Sequence, residues 1–379
     1  MTPYTQIYDE LKSAFLPTGD SGFINGSTIT IHNVKFDSTI DNYFFSSDND
    51  ANIYENSHFS YPVFVPEDRS SNKVILLFHG LNERSWDKYL AWAYYLAKKS
   101  GSYIVLFPIS FHINRSPQTW RDPRSVFKSF NTRKADKGEI DNKLSLANVV
   151  LSNRLSETPL RFFSSGYQTV KDVCKLVESI QDGTHPLLPK TGNVDIFAYS
   201  IGAFMSQIIL MANPRGLFDN SRLFMFCGGS VFSYMKGTSR YIMDKIAYDT
   251  LFSYFITDFE KTIKRGCRLY DFFNNDDLGL SFRSMISLSR KKEFRDNAMK
   301  RFQDKVYVIT LAKDTVIPPT GIIKTLTGAG FTEENIKVMD FPYEYSHEVP
   351  FPILKNRGHL LVDDAFETVF SEAVSFFGK

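Results

Sequence analysis

"VDIFAYSIGAFMSQIIL", residues Val194 to Leu210, begins as a mainly apolar run, stops at a serine set between small residues, and resumes with the spacing of a helix. The run before the stop reads as a strand covered on both faces, and the stretch after it as a helix packed back onto that strand. The stop itself, Ala198-Tyr199-Ser200-Ile201-Gly202, is the G-x-S-x-G turn with Ala in the first place. Small residues two before and two after the serine let strand and helix approach closely. The serine can then take a strained backbone conformation that lifts its hydroxyl above the sheet. So short a match carries weight only through its context. Here it is unique in the chain and falls where strand meets helix.

Outward from this turn the chain keeps the same alternation. "KVILLFHG" (Lys73 to Gly80) reads as a strand, "WDKYLAWAYYLAKKSG" (Trp86 to Gly101) as a helix with a Lys-Lys-Ser-Gly stop, and "SYIVLFPI" (Ser102 to Ile109) as a strand. A helix from Tyr167 to Asp182 precedes the opening stretch. After it come the strands "RLFMFCGG" (Arg222 to Gly229), "KVYVITLAK" (Lys305 to Lys313) and "NIKVMDF" (Asn335 to Phe341), with helices near Gly321 to Gly328 and from Asp363 to Phe377. Buried strands alternating with helices imply a mostly parallel sheet flanked on both faces, an α/β fold. Gly22 to Val65 has the β-branched and aromatic character of antiparallel strands opening the domain. Residues 112–165 and 232–304 break the alternation and read as insertions at the sheet's edge.

Basic and acidic residues number 44 and 42 and are mixed along the chain, so no global field calls for nucleic acid. The cysteines Cys174, Cys227 and Cys267 are widely spaced and lack any CxxC or Cys/His pairing, which argues against a disulfide framework or a zinc site. "MTPYTQIYDELKSAFLPTGD" lacks a basic and then apolar leader and suits an amphipathic helix from Pro3 to Phe15. The longest apolar stretch, Val194 to Ala212, is interrupted by polar residues and makes a poor membrane span. The expectation is a cytoplasmic protein with no integral membrane segment.

A serine nucleophile needs a base, an acid to orient the base, and donors for an oxyanion. Each is sought at the C-terminal end of a strand, where open α/β sheets bind ligands. Asp314, directly after "VYVITLAK", fills the acid role, since Asp195 lies at the wrong end of its strand. Two late histidines are candidates for the base. His347 in "PYEYSHEVPFP" is favoured for its shorter tether to a strand end, and His359 in "NRGHLLVDDAF" is the alternative. His32, His58, His112 and His185 read as structural. The expected oxyanion donors are the backbone N–H groups of Ile201, at the positive end of a helix, and of Leu81, in the loop "HGLNERS" where Gly80 lets the backbone bend inward. His79 reads as a brace for that loop.

These residues together resemble the α/β-hydrolase superfamily, in the chain order Ser, Asp, His, over roughly residues 60–111, 166–231 and 305–379. The resemblance implies an eight-stranded, mostly parallel sheet, acyl-enzyme chemistry, and a helical cap after the sixth strand, here 232–304. With it the chain divides into an N-terminal helical arm (1–21), a core (22–231 and 305–379, with the insertion 112–165) and the cap. The reading that follows is a serine esterase-like hydrolase acting on a small-molecule acyl substrate, with no metal or organic cofactor. An acyltransferase or peptidase would use the same triad, and a catalytically silent binding protein would use the same fold. Phe127, Phe130, Arg133, Lys134, Tyr241, Tyr248, Phe252 and Tyr254 in the insertions read either as an apolar pocket with a cationic rim or as ordinary packing.

Overall fold

The computed structural model describes residues 2–19, 21–23, 27–39, 48–137, 143–354 and 358–379. Part of the first insertion, residues 138–142, lies outside them.

Its strands are β1 (Ser21–Phe23), β2 (Thr30–Asp37), β3 (His58–Val65), β4 (Val74–Phe78), β5 (Tyr103–Leu106), β6 (Val194–Tyr199), β7 (Leu223–Phe226), β8 (Val306–Leu311) and β9 (Ile336–Met339). They form one sheet in the order β1-β2-β3-β5-β4-β6-β7-β8-β9. From β5 to β9 all neighbours are parallel, while β1, β2 and β3 join antiparallel at one edge. This is the α/β-hydrolase fold, with nine described strands rather than eight because the short β1 adds itself to the edge.

The central strands read as continuous apolar runs because both faces are covered. Every residue of β4 and β7 is buried, and so is every residue of β6 except Asp195. Asp195 accepts the Arg222 backbone N–H at 2.8 Å, at the sheet end opposite Ser200. Packed clusters fill both faces. Val63, Leu76, Ile196 and Met225 lie in one, with Ile75, Leu77, Phe197 and Phe224 in the other. Helix Asp87–Ser100 carries Asp87 in its first turn and Lys98 and Lys99 in its last, matching its dipole, and ends on Gly101 at φ 63°.

The helix expected from Tyr167 begins at Arg161 and runs to Asp182. Arg161 is buried and donates to Asp50 at 2.6 Å, which anchors a first turn that apolar periodicity alone does not mark. That helix takes in residues 161–165, which the sequence pattern assigns to the first insertion. The stretch before it contributes helices Pro123–Lys137 and Val149–Glu157. Residues 232–304 are mainly helical and join it through buried contacts. Arg133 donates to Asp244 at 2.7 Å, and Asn148 donates to the Ser239 carbonyl at 2.8 Å. The first helix, Tyr4–Ala14, lies against the body: Tyr4 stacks on Phe366 at 4.2 Å, and the Thr5 N–H donates to Asp363. Among the described residues, no helix is long and apolar enough to cross a membrane.

Candidate active site

Ser200 sits between β6 and helix Ile201–Ala212 at φ 58°, ψ −121°, a conformation that non-glycine residues avoid. Its N–H is tied to the Phe226 carbonyl at 3.1 Å, so the strain is held by the neighbouring strand. Close approach makes two glycines necessary. A Cβ on Gly202 would fall 2.8 Å from that of Phe78, and one on Gly228 would fall 2.5 Å from the Ala203 Cβ and 2.7 Å from the Ser200 carbonyl oxygen. Gly228→Ala is expected to cost about 1–3 kcal/mol through overpacking. Gly192→Ala, which meets no atom within 4 Å, should stay within about 0.5 kcal/mol. Urea unfolding of both variants checks this.

The Ser200 hydroxyl lies 2.7 Å from Nε2 of His347, and Nδ1 of the same ring lies 2.7 Å from Oδ2 of Asp314. All three side chains are buried. The other Asp314 oxygen accepts the backbone N–H groups of Val316 (2.9 Å) and Ile317 (2.8 Å), so one carboxylate closes the turn after β8 and holds the ring. The Ser200 and Asp314 contacts both go to His347. His359 is the first residue of the terminal helix, His359–Gly378.

The loop after β4 is set by His79. Nε2 of His79 accepts the Ile109 N–H at 2.9 Å, so Nδ1 carries the proton and donates to the Gly80 carbonyl at 2.7 Å. The Gly80 N–H donates to the Tyr89 hydroxyl at 2.9 Å. Burial, with His112 adding to it, holds the His79 ring well below its ordinary pKa, so it stays neutral in this role. In a trans peptide the C=O and the following N–H point in opposite directions. Pinning the Gly80 carbonyl on His79 therefore turns the Leu81 N–H away from His79. Leu81, Ser200 and Ile201 line one cavity, and Ile201, as first helical residue, has an N–H without an intrahelical acceptor.

Residues that local patterns did not reveal hold the His347 segment. Tyr199 lies near-parallel to the His347 ring, and its hydroxyl donates to the His347 carbonyl. Burial, reinforced by Cys227, pushes the Tyr199 phenol far above its usual range, so it remains a donor. Lys88 donates to the Glu348 carbonyl at 3.0 Å and pairs with Glu83 at 2.5 Å, while Ser239 donates to the Glu348 carboxylate. Of these residues, Tyr199 alone lies inside the turn motif. Of the insertion residues considered for a pocket, Tyr248 lines the cavity beside Ser200. Arg133 is instead buried against Asp244, Asn153 and Ser156, so it forms no cationic rim.

A family model described as a family of unknown function (DUF6051) matches residues 45–378. The chain belongs to this family. No curated protein matches this DUF6051 chain in sequence. Among solved structures it is similar to an esterase of Pyrobaculum calidifontis (10% identity, 98% of this chain and 90% of that one, TM-score 0.43). It is also similar to LAE6, an α/β-hydrolase enzyme from the metagenome of Lake Arreo, Spain (10% identity, 90% and 82%, TM-score 0.45). A third is the acylaminoacyl peptidase of Pyrococcus horikoshii (11% identity, 93% of this chain, TM-score 0.42), of which the DUF6051 chain spans 43%.

Proposed function

We propose that this protein is a serine hydrolase cleaving an ester or related acyl bond of a small molecule. The observation that carries this reading is the unbroken line from the Ser200 hydroxyl through His347 to Asp314. His347 Nε2 takes the Ser200 proton as the oxygen attacks the acyl carbon. Asp314 keeps the opposite proton on Nδ1 and stabilises the imidazolium that forms. The N–H groups of Leu81 and Ile201 receive the developing oxyanion. His347 then returns its proton to the leaving group, and water, activated by the same ring, releases the acid from the acyl-enzyme.

Ser200 lines a cavity walled by Phe232, Met235, Ile242, Met243, Leu251 and Val316. A second, larger cavity shares Leu81, Phe162 and Ile201 with it. This division favours a substrate with apolar groups on both sides of the scissile bond, with residues 232–304 acting as the cap. Phe162 stands in the wall between the two. Phe162→Ala is expected to raise kcat/KM for esters bulky on both sides, relative to small ones, by roughly tenfold. A series of esters graded in acyl and alcohol size reads that ratio.

Hydrolysis of an ester panel by wild type, with loss of all turnover above background in Ser200→Ala, tests the main reading. Product partition in the presence of added amines and alcohols separates a hydrolase from an acyltransferase.

A further inference from the structure

The larger cavity is apolar over most of its wall, with the rings of Phe111, Trp120, Phe162, Phe163, Phe204 and Phe282 facing it. Polar side chains interrupt that wall, among them His112, Ser116 and Ser165. His112 borders the cavity and is 6% exposed, and among the described residues its Nε2 has no hydrogen-bond partner. Its other nitrogen lies 2.9 Å from the Ser110 carbonyl. A carbonyl only accepts, so Nδ1 carries the proton and Nε2 presents a bare lone pair. Burial lowers the ring's pKa to about 4, so at neutral pH this nitrogen stays an acceptor. An unsatisfied buried acceptor is costly, and native structures rarely keep one without a reason.

The backbone around His112 is built to hold that ring in place. Phe111 and Ile113 on either side have φ of 66° and 49°, which is costly for an aromatic and for a β-branched residue. The turn is fastened from several directions. The Phe111 N–H donates to Asn56 at 3.2 Å and the Ile113 N–H to the Glu83 carbonyl at 3.1 Å. Arg115, fully buried, donates to the Asn56 carbonyl at 3.0 Å, the Pro108 carbonyl at 3.2 Å and Asp172 at 2.7 Å. The His112 ring lies 5.3 Å from that of His79, whose Nδ1 holds the Gly80 carbonyl just before Leu81. The nearby arginines are already engaged: Arg154 donates to Asp50 at 2.9 Å and stacks on Trp120, and Arg161 shares Asp50. Arg84, also in the wall, donates to the Leu146 and Ala147 carbonyls. The cavity thus offers aromatic surface and, at Nε2 of His112, an acceptor without a partner.

We infer that this cavity binds a flat apolar group bearing a single hydrogen-bond donor, a phenol-like hydroxyl, which donates to Nε2 of His112. His112 is then a specificity-determining residue and not the structural histidine its sequence context implied. That the bound group belongs to the substrate rests on the hydrolase reading, but the site itself does not.

The test uses para-propylphenol and the near-isosteric para-fluoropropylbenzene, titrated by calorimetry into Ser200→Ala protein that carries His112, His112→Leu or His112→Gln. With His112 the phenol should bind roughly tenfold more tightly than the fluoro compound. The preference should shrink to about twofold or less in His112→Leu and recover in part in His112→Gln, whose amide oxygen also accepts. Equal affinities in the presence of His112, or a preference that survives in folded His112→Leu, overturn the proposal. A parallel arm compares hydrolysis of esters with para-hydroxyphenyl and phenyl acyl groups in the Ser200 protein. Binding preference without turnover upholds the site and removes the hydrolase reading. Turnover without the preference removes the site alone.

Discussion

His347→Ala should lower kcat for an activated ester by about five to six orders of magnitude, the loss typical when the base of a serine triad is removed. The reason is geometric. The ring bridges Ser200 and Asp314 at 2.7 Å on each side. An alanine leaves the hydroxyl with nothing to accept its proton and leaves one buried carboxylate oxygen facing a void. His359→Ala should stay within about an order of magnitude of wild type, because the Ser200 and Asp314 contacts both go to His347. Steady-state kinetics on one chromogenic ester, with circular dichroism to verify folding, compares the two variants. The reverse ranking would transfer the base role to His359.

Asp314→Asn should cost about four orders of magnitude in kcat with little change in fold. Oδ1 of Asp314 accepts two backbone N–H groups, so an asparagine in its place keeps its carbonyl oxygen there. Its NH₂ must then face Nδ1 of His347, and a donor in that position forces the imidazole to place its proton on Nε2. The ring would present N–H to the Ser200 hydroxyl and could not accept its proton. The expected signature is lost kcat with a preserved thermal transition and a crystal structure that superposes on the parent.

The contrast between these residues and their supports marks what a single sequence conveys. Ser200, Asp314 and Leu81 each follow a buried strand, and strand ends are legible because both faces of the sheet are covered and its strands read as continuous apolar runs. The parallel core was legible for the same reason. The short β1 was not, since three edge residues carry no period long enough to detect. Supports such as Lys88 on the Glu348 carbonyl and Tyr199 on the His347 carbonyl join segments 260 and 148 residues apart. No local pattern encodes such a contact. Arg133 shows the same limit: among basic and aromatic neighbours it resembles a pocket rim, yet its partner Asp244 is 111 residues away. Gly228 is one of two glycines after a strand in the sequence, and only the approach of Ala203 and the Ser200 carbonyl gives it a role.

His79 and His112 are both buried and neutral, and burial is the dominant cause in each case. Lying 5.3 Å apart, they act as fixed hydrogen-bonding groups rather than as titrating ones.

Incubating the folded protein with a fluorophosphonate and mapping the adduct by mass spectrometry decides whether Ser200 is an activated nucleophile. One adduct is expected, on the peptide carrying Ser200, absent in Ser200→Ala and slowed severely in His347→Ala. Folded wild-type protein that remains unlabelled at Ser200, or is labelled only at another residue, would contradict that expectation.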